Sequence, residues 1–192
     1  MRRFLKQYDF FFKYTIKFIG IFLILYYGTM AVIGLAAPEG YYAPFIAHYL
    51  NYTAWLRSSL FFGVQQLLAL STYTTIVSSE FTIRIWPGPG VHLGYSCLGY
   101  GVSSFWIAFV VANETRLTKK ITWVFSGILL LWCVNVLRIS LLVIAIHKNG
   151  AGDFLFDHHT WFNIVSYGCI FTGMYCFDKN INKSSPKLNE ST

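Results

Sequence analysis

Acidic side chains are scarce in this chain. Asp and Glu number 8 among 192 residues. They are Asp9, Glu39, Glu80, Glu114, Asp153, Asp157, Asp178 and Glu190, all at the chain ends or in loops. None lies in a long apolar run, so a basic residue inside such a run has no acid of its own span to pair with. Charged residues of both signs reach only 12%. That is roughly half the share of a soluble domain, which excludes an ordinary water-exposed globule. Cys97, Cys133, Cys169 and Cys176 form no C-x-x-C pair and have no zinc-ligand spacing. No metal or other cofactor is therefore expected. A clear small-residue cleavage site after the first apolar run is missing, 34–37 being a weak candidate, so a retained first helix is expected. The stretch 37–53 has no Lys or Arg, and the chain has no internal repeat.

What is present is apolar. Hydrophobic residues make up 55% of the chain, and the mean hydropathy is +0.50. Four runs are long enough to span a bilayer: 16–36, 96–112, 121–147 and 159–177. The segment 54–77 is ambiguous, because it carries Arg57, Gln65, Gln66 and a Ser/Thr-rich end. The formal charge of +7 sits mostly at the ends and at 113–120. There it reads as a topology signal and not as a nucleic-acid surface. The positive-inside rule puts both termini and that loop in the cytoplasm, with 37–53 and 78–95 outside. Both flanks of 54–77 then share one side, so this segment is expected to be re-entrant, interfacial or a broken hairpin helix. The alternative is a fifth crossing with the N-terminus outside. The stretch 78–95 alternates at Phe81, Ile83, Ile85 and again at Val91, Leu93, Tyr95, around Pro87-Gly88-Pro89-Gly90, which predicts an external β-hairpin. The expected class is an all-α polytopic membrane protein. It has four to five transmembrane helices, a re-entrant or interfacial segment and a short extracytoplasmic β-hairpin. Residues 1–178 form one membrane domain, and 179–192 a polar, disordered cytoplasmic tail.

Arg138 is the odd residue, a guanidinium within the run 128–146. Such a charge costs at least about 2.5–3.5 kcal/mol at a helix centre and is a functional hypothesis by default. Counting at 1.5 Å per residue from the cytoplasmic helix ends puts Cys97 at about 22 Å, Arg138 at about 25 Å and His159 at about 27 Å. A thiol, a guanidinium and an imidazole are thus expected at one level, the outer edge of the hydrocarbon. That set suits thiol acyl transfer. A thiolate attacks, a histidine takes and returns the proton, and an arginine stabilises the oxyanion or the thiolate. Asn135 lies on the face of Arg138, to orient it or to donate to a substrate carbonyl. Glu80 and Asp157 compete with the thiolate as counter-anions of Arg138. Two other classes are open: a small anion transporter, or a non-catalytic assembly subunit whose Arg138 pairs with a partner's acid.

Cys97-Leu98-Gly99, Asn135-Val136-Leu137-Arg138 and a histidine opening the last span together resemble the exosortase/archaeosortase family, over about residues 80–177. The short chain resembles a compact bacterial branch, possibly of Bacteroidetes type. The resemblance implies a Cys97–Arg138–His159 site, with His158 as the alternative and Asn135, Gly99 and Asp157 in support. It implies a multi-pass enzyme of the bacterial inner membrane with its site facing the periplasm. The implied activity is that of a cysteine protease or transpeptidase. Its substrates are exported proteins with a C-terminal transmembrane sorting signal, and its acceptor is a polysaccharide or glycolipid. Family members often carry Gly four residues after the histidine. Here Asn163 follows His159 and Phe162 follows His158, which leaves the choice of histidine open.

Overall fold

The computed structural model describes the backbone of residues 2–37, 41–149 and 155–184, and side chains over 11–37, 41–148 and 164–181. The chain is mostly helical, with one small sheet. Its elements are α1 (Arg2–Ala36), α2 (Pro44–Tyr49), α3 (Tyr52–Ala69), β1 (Thr75–Ser79), β2 (Thr82–Ile85), β3 (Gly90–His92), a 3-10 turn (Tyr95–Leu98), α4 (Tyr100–Ala112), α5 (Leu117–Asn149) and α6 (Leu155–Ser184). Among the described residues, two helices are long and apolar enough to cross a membrane: Phe11–Ala36, with mean hydropathy 2.1, and Leu117–Lys148, with 2.4. The run expected at 96–112 yields a shorter helix of 13 residues, α4. The run expected at 159–177 falls within α6, which continues past Asp178 to Ser184.

One part of the molecule is a helical bundle. Tyr14, Phe18, Phe22 and Tyr26 recur every fourth residue and stack along one face of α1. Phe105 of α4 meets Phe18 and Phe22 edge-on, with ring centres 5.2 and 6.3 Å apart. Tyr100 lies against Tyr26, so α4 runs antiparallel to α1. Trp106 then joins three helices. Its indole nitrogen donates to the Trp123 carbonyl at 3.0 Å, and its ring covers Gly127 of α5 and Gly173 of α6. A Cβ at Gly127 would overlap the indole, so only glycine allows this approach.

The other part is a cap built on the C-terminal half of α5. Val136, Ile139, Val143 and Ile146 form a buried stripe at heptad-like spacing. Against it pack Leu60, Phe61, Val64 and Leu68 of α3, together with Ile83, Ile85, Val91 and Leu93 from the sheet. α3 runs parallel to α5. Ser59 accepts from the Trp132 indole at 3.2 Å, Gly63 faces Val136, and Tyr73 beyond the helix meets His147.

The segment 54–77 is therefore not a broken hairpin. It is one unbroken helix to Ala69, followed by a turn and then strand β1. Asn51 starts α3 by accepting from the Ala54 amide at 3.1 Å. Gln65 and Gln66, which make the segment ambiguous as a span, lie mid-helix, with Gln66 exposed. The β-branched run Thr74-Thr75-Ile76-Val77 favours a strand over helix continuation. The expected hairpin is present: Thr82 pairs with His92, Ile83 with Val91 and Arg84 with Gly90. It gains β1 as a third strand, with Thr75 opposite Ile85. Ile83 and Ile85 face the core, while Thr82 and Arg84 face away.

Candidate functional site

The site lies where the cap meets the bundle. Cys97 is a half-buried free thiol in the 3-10 turn, and its amide donates to the Gly94 carbonyl at 3.0 Å. Gly99 ends the turn with φ of 76° and is also the N-cap of α4. That left-handed conformation is open to glycine at little cost and interrupts any helix. Cys97 was expected at a helix start. It stands one turn before α4 instead, because Gly99 breaks the chain direction between them.

Two residues of α5 grip this turn. Asn135 is 3% exposed, and its Nδ2 donates to the Cys97 carbonyl at 3.0 Å. One turn further along, the Arg138 guanidinium comes within interacting range of the Cys97 thiol. The i, i+3 spacing brings both donors to one face of the helix. Cys97 and Arg138, expected at one level, lie near each other. Asn135 serves a backbone carbonyl of the protein and not, in this state, a substrate or Arg138. Its Oδ1 is buried and has no partner among the described residues.

A cleft of about 50 Å³ opens beside the turn, lined by Leu56, Leu60, Leu98, Gly99, Asn135 and Ser166 among others. Ser166 belongs to α6, whose backbone carries residues 158 and 159 about two turns closer to the helix N-terminus. The side chains of His158, His159 and Asp157 lie outside the described residues. Among the described residues, no group of three His, Cys, Asp or Glu side chains converges to hold a metal ion.

Arg57 emerges as a site residue only in the structure. It is 6% exposed, and its Nη2 lies 3.6 Å from Glu80 Oε2. Its guanidinium stacks on Phe81 at 3.8 Å and approaches Tyr95 at 5.8 Å. Glu80, expected as a competitor for Arg138, is thus placed at Arg57. The signal was in the sequence: Arg57 is a cation within an apolar segment, as Arg138 is. No family model, no curated protein and no solved structure matches this chain. The reading of the site rests on its own geometry.

Removing the Asn135 amide tests the grip. Asn135→Ala leaves the Cys97 carbonyl without its donor, a loss of about 1–3 kcal/mol for a buried group, partly offset because the unpaired Oδ1 goes too. The turn should loosen, so that neutral maleimide modifies Cys97 severalfold faster and the thermal midpoint falls by a few degrees. Unchanged labelling and stability would show that Asn135 does not hold the turn.

Proposed function

We propose that the chain is a polytopic membrane protein and an exosortase-like cysteine transpeptidase. It cleaves C-terminal sorting signals at the extracytoplasmic face. The observation that carries this reading is the approach of the Arg138 guanidinium to the Cys97 thiol, in a turn that Asn135 holds through the Cys97 carbonyl.

Exposed apolar surface supports the membrane reading. Only 6% of the apolar window of α1 is buried, and 28% of that of α5, unlike the core helix of a soluble protein. Leu129, Leu130, Phe171 and Tyr175 are likewise exposed. From Leu117 to Asn135 the rise along α5 is about 27 Å, close to the ~30 Å of hydrocarbon in a bilayer. With the basic loop at 113–120 inside, Cys97 and Arg138 stand at the outer boundary and the cap lies beyond it. α3 then belongs to the cap. Its first turn is tied to α1 by the Tyr52 hydroxyl, which donates to Thr29 Oγ1 at 2.7 Å. This reading has four crossings, α1, α4, α5 and α6, with both termini in the cytoplasm of a bacterial cell; α4, 13 residues long, rises only about 20 Å and crosses together with the turn before it.

In this mechanism the Cys97 thiol gives its proton to His159, or to His158, and the sulfur attacks the scissile carbonyl carbon. Arg138 donates to the oxygen on which negative charge develops. The imidazolium protonates the leaving amine, which departs with the C-terminal signal helix. A hydroxyl of a polysaccharide or glycolipid then attacks the thioester, gives up its proton to the imidazole and frees Cys97. Water in its place gives hydrolysis. β3, an edge strand in the sheet order, leads directly into the Cys97 turn, a layout suited to holding an extended substrate by strand addition.

Co-expression with exported proteins that carry C-terminal signal helices tests the reading. Mass spectrometry should find termini shortened before the helix, bearing an acceptor or a free carboxylate. Identical termini with and without the chain would sink it.

A further inference from the structure

Arg57 is a buried cation that the proposed mechanism does not use. A guanidinium 6% exposed loses most of its hydration, and a structural ion pair that repays this buries both partners with short hydrogen bonds. Here the partner remains in water. Glu80 is 83% exposed on the turn between β1 and β2, at 3.6 Å. The other terminal nitrogen, Nη1, is buried and has no hydrogen-bond partner among the described residues. Phe81 and Tyr95 flank the guanidinium, and Tyr95 opens the turn that carries Cys97. Leu56 and Leu60, the α3 neighbours of Arg57, line the cleft together with Leu98 and Gly99. A planar fork with a spare donor and a loosely held, exposed carboxylate is a site in which one carboxylate can replace another.

We propose that Arg57 is a carboxylate-binding subsite beside Cys97, held by Glu80 until an acidic side chain of an extended peptide displaces it. The inference rests on the transpeptidase reading for the nature of the ligand. The incoming carboxylate accepts from Nη1 and Nη2 together, an arrangement that the Glu80 contact does not reach. Glu80 then swings free with its turn, and the peptide continues past Tyr95 toward the sulfur.

The test uses the full chain and a defined probe set. Maleimides with carboxyalkyl tails of graded length are compared with neutral alkyl maleimides of matched length, and modification is read by mass spectrometry of the Cys97 peptide. At one tail length the carboxylate form should react about tenfold faster than its neutral match, the gain of one charged hydrogen bond. The preference should fall toward parity in Arg57→Gln and rise in Glu80→Gln. A preference that is the same at every length and survives Arg57→Gln belongs to Arg138 alone and overturns the subsite. So does an unchanged preference in Glu80→Gln, a surface change that decides the matter even if Arg57→Gln fails to fold. An Arg57 that only ties α3 to the sheet shows no preference in any variant, which also overturns it. Intact preference in a chain that processes no substrate would remove the transfer reading and leave the subsite standing.

Discussion

Cys97→Ala is expected to fold and insert normally yet to lose processing by about four orders of magnitude or more, as when the nucleophile of a covalent mechanism is removed. The two halves of this result are separable because of where Cys97 lies. Its thiol is half buried at the edge of the cap core, so truncation removes a small apolar contact and leaves no large cavity. Asn135 holds the turn through the Cys97 carbonyl, which alanine retains, and Gly99 keeps its left-handed bend. Cys97→Ser is the sharper control. The hydroxyl fits the same space and can accept from Arg138, but it is a far poorer nucleophile than a thiol at neutral pH. Processed termini counted by mass spectrometry, set against circular dichroism of the purified variants, check both halves. Full processing by Cys97→Ala would move the chemistry to another residue. A variant that processes nothing but is also unfolded would be replaced by Cys97→Ser as the deciding case.

What the sequence revealed of this site followed rules that need no tertiary information. A lone guanidinium in an apolar run marks a functional position, and helix rise alone placed Arg138 at the level of Cys97. The three-residue spacing brought Asn135 to the same face. The cap was not legible for a physical reason. Val136, Ile139, Val143 and Ile146 face the sheet, but Leu137 and Leu141 between them are exposed and as apolar. Hydropathy therefore reads one uninterrupted run, although one half lies in the bundle and the other under a sheet. α3 misleads in the same way, since a helix facing a sheet and a helix facing lipid both read as apolar windows. β1 was hidden because its β-branched residues follow that window without a proline or glycine. Arg57 is visible in the sequence only as a charge within an ambiguous apolar segment. Its meaning depends on Glu80, Phe81 and Tyr95, which the sheet carries back over α3.

Arg138→Lys is expected to lower turnover by about 10²–10³-fold, the loss seen when one oxyanion donor is removed, with little change in substrate binding. The guanidinium has five donors in a fixed plane, so it can hold the sulfur with one edge and meet the developing oxyanion with another. A lysine ammonium keeps the charge. Its stem is shorter, its donors are clustered at one point, and it must choose between the two. Arg138→Gln goes further, removing the charge while keeping a donor. Labelling of Cys97 by a neutral maleimide separates charge from geometry, because a cation beside the sulfur steadies the negative charge on it during attack. The labelling rate should hold within a few-fold in Arg138→Lys and fall in Arg138→Gln, while turnover collapses in both. Wild-type turnover in Arg138→Lys would make Arg138 a point charge only and assign the oxyanion to another donor. The spare hydrogen of Asn135 Nδ2 is one candidate, since that nitrogen lies 3.0 Å from the Cys97 carbonyl. Equal labelling in all three forms with turnover lost would separate Arg138 from the sulfur and confine its role to the transition state.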